Sequence, residues 1–468
     1  MAIPPSSGEK VLSTMSYAPT NWRIVEARLA LEDGWAEGDL WIKDGRIAAI
    51  GRLPDKAYGP LYQAKGAYLL PGLIDTHVHF REPGFLEKGT FYTESRAALA
   101  SGVTTVFDMP NTHPPTTTRE ALAAKKARIA RRSWTNFALY FGATPNNLSE
   151  ITQLSPREIP AVKVFLASST GSLLVTEERV VRTLFAQSPV RLAFHSEAER
   201  LIQQAMAAYY GKDWDVVPDL HTRVRPTEAC IESTRWLLSL AKEYMTPIHL
   251  LHITTGEEVR ALHEFFEQAP QEIRSRVSAE TCPVYLTWNS THFPRYKNFL
   301  KCNPALKSPK DQEALWEGIR QGVFTTIGTD HAPHTYGEKL LPYWQAPAGV
   351  PTHPYLLPWL YTLGNQRGVP LRRWVELLAW RPARLWGIQE RGFLREGYWA
   401  DLVLFDPVSE THVPHPTDPQ TLNKCGWHPL MGETLQGRVQ ATWVNGYLSY
   451  DKGYILGAPA GEPVAFTG

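Results

Sequence analysis

The chain is poor in three things whose absence narrows its class. It has only 4 cysteines in 468 residues, Cys230, Cys282, Cys302 and Cys425. Their scattered spacing matches neither a zinc ribbon nor a disulfide framework, which leaves buried free thiols as the expectation. It has almost no net charge: 48 Lys and Arg against 47 Asp and Glu give +1. A chain so balanced offers no electrostatic footprint for nucleic acid or another polyanion. It also lacks an uninterrupted apolar run long enough to cross a bilayer, and residues 1–20 are rich in Ser and Pro without an apolar signal core. No membrane partner and a cytoplasmic location are therefore expected. No internal repeat is visible. What remains, 43% hydrophobic and 20% charged residues, is ordinary for a globular protein, and the length allows one large core with a smaller companion domain.

Against that plain background one stretch stands out: Pro71-Gly72-Leu73-Ile74-Asp75-Thr76-His77-Val78-His79-Phe80-Arg81. Side chains alternate along a strand, so His77 and His79 point to one face and could bind a divalent metal such as zinc. Arg81 would share that face if the strand persists, a cation suited to an anionic substrate beside the metal.

From there the pattern repeats. Apolar strand-like runs are expected at 73–79, 103–109, 136–142, 161–166, 190–195, 247–252, 277–281 and 324–330, with helices at 118–132, 176–187, 226–244, 256–268, 311–321 and 371–387. Eight nearly all-apolar runs separated by helices predict an α/β fold, a parallel (β/α)8 TIM-type barrel. Short alternating strands occupy 21–70 and return at 400–406 and 441–444, with hairpin turns at Asp44-Gly45 and Asn445-Gly446. The expected organisation is a barrel over 71–388 flanked by a small β-sandwich domain built from 1–70 and 389–468.

Chemistry in such barrels sits at the C-terminal ends of the strands. There the runs end in or contain His77 and His79, Asn111, Lys163, His195, His252, and the segment Thr329-Asp330-His331-Ala332-Pro333-His334. Each has a bland reading on its own. His195 suits a hydrogen-bonded core position, and Asp330 could cap a helix. His249 and His252 lie on opposite faces by strand parity, so either or neither could be a ligand. Lys163 is the oddest, because an ammonium within an apolar strand loses its hydration. Four histidines and an aspartate at the same ends of different strands make the bland reading improbable for the set.

This set resembles the amidohydrolase superfamily with a two-metal centre. Within it, His79-Phe80-Arg81-Glu82-Pro83-Gly84, Met109-Pro110-Asn111-Thr112, Asn303-Pro304 and Thr329-Asp330-His331-Ala332-Pro333-His334 are similar to class I dihydroorotases, from about residue 71 to 357. The resemblance implies a dihydroorotase with two zinc ions per subunit. His77 and His79 would bind one ion and His195 and His252 the other, with carbamylated Lys163 bridging them. Asp330 would bind the first ion and act as the catalytic proton shuttle. Arg81, Asn111, Asn303, His334 and the backbone of Ala348 and Gly349 would contact the substrate. The segment Gly349-Val350-Pro351-Thr352-His353 departs from the pattern of that family. Allantoinases and hydantoinases share the ligand set and are the alternative. Beyond the small-molecule substrate, the partners to expect are a second copy of the chain or a transcarbamoylase.

Overall fold

The computed structural model describes residues 20–168, 173–416 and 421–468; the Ser- and Pro-rich start of the chain lies outside the described residues. The eight expected runs form parallel strands: Leu73–Val78, Val103–Asp108, Asn136–Leu139 continued by Phe141–Gly142, Val162–Phe165, Leu192–His195, Ile248–Leu250, Val277–Thr281 and Thr326–Ile327. All are buried throughout their length, as strands covered on both faces must be. The third run breaks at Tyr140 and pairs with the second strand before the break and the fourth after it. Closure comes from a parallel bridge between Val78 and His331, with His79 N donating to His331 O at 2.8 Å. The result is the expected TIM-type barrel.

The helices begin where their sequences offer caps. Thr118 accepts from the amide of Ala121 ahead of Arg119–Ile129. Thr255 and Glu258 cap each other reciprocally ahead of Gly256–Gln268. Helix Pro309–Gln321 opens two residues before the expected start: Ser308 caps it, Pro309 takes the first turn, where its missing N–H is harmless, and Gly322 closes it at φ +84°. The expected helix over 371–387 runs without a break through residues 371–385, with a wider π turn at Glu376–Trp380 between α-helical Leu371–Val375 and Arg381–Leu385.

The two β-rich ends combine. Trp22–Leu31, Gly34–Lys43, Arg46–Gly51, Leu61–Gln63 and Tyr68–Pro71 hydrogen-bond into one nine-stranded sheet with Leu402–His412, Thr434–Val444, Tyr447–Asp451 and Tyr454–Ile455. The joint is Tyr68–Pro71, which runs antiparallel to Leu402–Phe405 and leads directly into the first barrel strand. Ile24, Leu40, Ile42, Leu69, Leu402, Ala441 and Trp443 form a core separate from that of the barrel. Both hairpin turns have two successive residues at positive φ, Asp44 and Gly45 at 51° and 80°, Asn445 and Gly446 at 52° and 82°, the geometry that suits tightly twisted hairpins. Among the described residues, no helix is long and apolar enough to cross a membrane.

Candidate metal centre

The strand Leu73–Val78 ends one residue short of the expected His79, so it does not persist to Arg81. Arg81 instead takes a left-handed backbone, φ 68°, and reaches the site by a turn. Asp75 ties the barrel's first and last staves together. Its carboxylate accepts from His77 N at 3.2 Å, Thr329 N at 3.0 Å, Thr329 Oγ1 at 2.6 Å and His353 Nε2 at 3.0 Å. This brings Asp330, itself left-handed at φ 50°, over the two histidines. Asp330 Oδ1 lies 3.3 Å from His77 Nε2 and 3.1 Å from His79 Nε2.

The far side of each ring is held. His77 Nδ1 donates to Glu280 Oε1 at 2.6 Å, and His79 Nδ1 to Asn111 Oδ1 at 2.8 Å. A carboxylate or amide oxygen on one ring nitrogen aims the other nitrogen's lone pair outward, the usual arrangement behind a metal-binding histidine. His77 Nε2 is buried and makes no hydrogen bond among the described residues, a poor state for a polar atom unless something else fills the position. The three ligand atoms lie within 4.8 Å of one another. Separations of 3.1 and 3.3 Å match the roughly 3.3 Å edge of a tetrahedron with bonds of about 2.0–2.1 Å. The residues therefore fit a divalent cation.

A second pair faces the first. His195 Nδ1 and His252 Nε2 are 3.0 Å apart, and His195 Nε2 bonds to Glu197 Oε2 at 2.7 Å, which in turn pairs with buried Arg225. His252 sits 5.4 Å from His77, ring centre to ring centre. Lys163 lines the same cavity as the two pairs, buried, its Nζ 4.6 Å from the centre of the Phe165 ring. Burial pulls its pKa from 10.5 to about 7, so at neutral pH much of it is the uncharged amine. Burial also lowers His79, to about 4, and pushes His195 and His252 down, which leaves these rings neutral and able to coordinate. Burial alone would raise the Asp330 carboxyl, but the ring of polar histidines around it, His77, His79 and His252, outweighs that and holds it below the usual carboxylate range, so it is ionised.

The parity argument for His249 and His252 fails, because the strand ends at Leu250 and the chain turns, with His252 at φ 40°. Both histidines enter the barrel. His252 lines the cavity, while His249 lies against Ser278 Oγ at 2.8 Å and Glu280 Oε2 at 3.3 Å. One cavity is lined by His77, His79, Arg81, Asn111, Lys163, His195, His252, Asn303, Asp330, Ala348 and Gly349, gathered from across the chain. His334 stands behind Arg81. Lys88 Nζ, which can only donate, lies 3.1 Å from His334 Nδ1, so the neutral ring carries its proton on Nε2 and donates it to Ala348 O at 3.0 Å. In that tautomer the Arg81 guanidinium, 3.1 Å from the same nitrogen, only packs there; among the described residues it donates from Nε to Pro333 O at 3.0 Å. The unusual 349–353 segment points away from the cavity in its second half. Thr352 N and His353 N donate to His331 Nδ1, and His353 bridges Asp75 and Ser101.

Glu280 escaped the reading of the sequence, though the signal was present: an acid inside the apolar strand Val277–Thr281, as anomalous as Lys163 in its own. Glu197, two residues beyond His195, had no such signal.

A family model for the amidohydrolase family matches residues 68–448. The chain belongs to the amidohydrolase family. Among curated relatives, a dihydroorotase from Methanosarcina acetivorans is 30% identical over 416 residues, covering 87% of this chain and 88% of its own. An allantoinase from Rubrobacter xylanophilus is 31% identical over 451 residues, covering 94% and 96%. Among solved structures, an L-hydantoinase (dihydropyrimidinase) from Arthrobacter aurescens superposes with a TM-score of 0.87 at 28% identity, over 95% of this chain and 99% of that one. This amidohydrolase is thus similar to hydrolases of three cyclic amides at nearly the same distance, and overall similarity does not choose among their substrates.

Proposed function

We propose that this amidohydrolase is a zinc-dependent dihydroorotase, interconverting N-carbamoyl-L-aspartate and L-dihydroorotate plus water in pyrimidine synthesis in the cytoplasm. The observation that carries the reading is Arg81. Its guanidinium is buried beside His79 and Asp330, lines the cavity, and has no carboxylate within ion-pair distance among the described residues. Burial brings its pKa down only to about 10, so it stays charged. A buried, unpaired cation is unfavourable until an anion arrives. Dihydroorotate carries a ring carboxylate that would take this place, matched by the planar fork of the guanidinium; a neutral hydantoin ring brings none.

His77, His79 and Asp330 would hold one metal ion and His195 and His252 the other. Lys163, as the neutral amine, would add carbon dioxide and lose a proton, giving a carbamate that bridges the two. Two cations bound there would polarise the amide carbonyl and activate a water. The chain does the rest. Arg81 and Asn303 orient the ring, and Asp330 takes the proton from the attacking water and delivers it to the departing ring nitrogen; in cyclisation it returns the proton the other way. Glu280 and Asn111 keep the two histidines aimed.

The test is side-by-side turnover of dihydroorotate, allantoin and a 5-substituted hydantoin by the purified holoenzyme. Preference for dihydroorotate supports the proposal; preference for either neutral ring refutes it in favour of the hydantoinase or allantoinase alternative.

A further inference from the structure

Four consecutive carbonyls of the segment that carries Ala348 and Gly349 are each taken by a side chain lying outside that segment. Lys301 Nζ donates to Ala346 O at 2.7 Å, Lys339 Nζ to Pro347 O at 3.0 Å, His334 Nε2 to Ala348 O at 3.0 Å, and Lys339 Nζ again to Gly349 O at 2.8 Å. Lys339 is buried and its third contact is Lys301 O at 3.4 Å, the same carbonyl that accepts from Gly349 N at 2.8 Å. One ammonium thus sits at the junction of the 346–349 segment and the 301–303 segment, which bring Gly349 and Asn303 to the cavity. Burial pushes the Lys339 amine down, but all three of its partners are carbonyl oxygens that can only accept, and the ammonium, with three donors and no acceptor, is the form that satisfies them. Gly349 adds rigidity of its own. Its φ is 147°, and a Cβ there would meet Ala332 O at 2.5 Å and His334 Cδ2 at 2.8 Å, so the backbone has no slack on that side.

Among the described residues, Lys301, Lys339 and His334 make no hydrogen bond or ion pair with the candidate metal ligands. What Lys339 holds is the part of the cavity wall that carries Ala348 and Gly349. We infer that Lys339 is a positioning residue whose ammonium clamps the 346–349 backbone against the 301–303 segment and so shapes the side of the cavity that receives the substrate ring. This rests on the cyclic-amide reading of the site.

The experiment compares Lys339→Met with wild-type holoenzyme, on whichever cyclic amide the wild type turns over. Methionine keeps the length and removes all three donors. A loosened wall should raise KM about tenfold or more with kcat changed less than about threefold, because binding in ground and transition state weakens together, and metal content should stay the same. KM within about twofold of wild type, or a collapse of kcat at unchanged KM, overturns the inference. Hydrogen exchange on the wild type decides the matter if the variant does not fold. The amides of Ala346, Ala348, Gly349 and Val350 should exchange roughly a thousandfold slower than in an unstructured peptide, and free-peptide rates there would overturn the clamp. A wild type inactive on dihydroorotate but active on a hydantoin would overturn the substrate reading alone, since the clamp is read from a ratio on the same substrate.

Discussion

Replacing Arg81 by Met removes the guanidinium from the cavity and leaves the backbone as it was, since the left-handed φ of 68° is equally demanding for either residue. Two effects follow and can be separated. The bond from Nε to Pro333 O at 3.0 Å disappears, at a cost of about 1 kcal/mol in stability. This is seen in the melting temperature. The contact with a substrate carboxylate also disappears, and a buried charge-assisted contact of this kind contributes roughly 2–4 kcal/mol. At about 1.4 kcal/mol per decade that is a fall in kcat/KM of roughly 30- to 700-fold. The assay is steady-state hydrolysis of dihydroorotate at matched metal content, with dihydrouracil, the same ring without the carboxylate, as control. The loss should be confined to dihydroorotate, so that the preference for the carboxylate-bearing ring collapses in the mutant. A kcat/KM on dihydroorotate within about threefold of wild type, under about 1 kcal/mol, would remove Arg81 from substrate recognition and with it the argument for dihydroorotase over its neutral-ring relatives.

Lys163→Ala should bind well below two equivalents of metal and be inactive, with partial rescue by a small added carboxylate; full metal content with near-normal turnover would defeat the bridge. In the wild type, the neutral Lys163 amine grows as pH rises through about 7, so metal-free protein given metal and bicarbonate should regain activity more completely at pH 8 than at pH 6, and the reverse order would count against carbamylation. Glu280→Gln takes the negative charge from behind His77 and should weaken metal binding about 10- to 100-fold, with activity returning in excess metal; chelator competition showing unchanged affinity would reduce Glu280 to a packing role. Asp330→Asn is nearly isosteric and should keep most of its metal while losing cyclisation and hydrolysis together; substantial cyclisation surviving the loss of hydrolysis would break the single-shuttle scheme.

Much of the fold was legible because it rests on local signals. The eight strands appear as apolar runs because both of their faces are covered, and the caps Thr118 and Thr255 announce helices within a few residues of their starts. The boundaries were less so. The run over 324–330 is strand only at Thr326–Ile327, since the rest of it is drawn out of the ladder to place Asp330. The parity rule failed at His252, and its condition was not met at Arg81, for the same reason: alternation holds only while the strand lasts, and both residues lie just past its end, where φ turns positive.

Residue type and spacing alone pointed to the fold class, to a histidine pair able to bind metal and to the cation beside it, since apolar periodicity and a histidine pair are properties of neighbouring residues; the larger ligand set came only with the family resemblance. Only the tertiary structure decided which groups meet. Glu280 stands 203 residues from His77 in the chain and 2.6 Å from its Nδ1; Asp75 joins Thr329 and His353 across more than 250 positions; Lys339 and Lys301 close on the same loop. Such pairs carry no periodic signature. They exist because closing the barrel brings the ends of eight strands around one axis, where water is excluded and a buried charge is stable only beside the partner that the closure supplies.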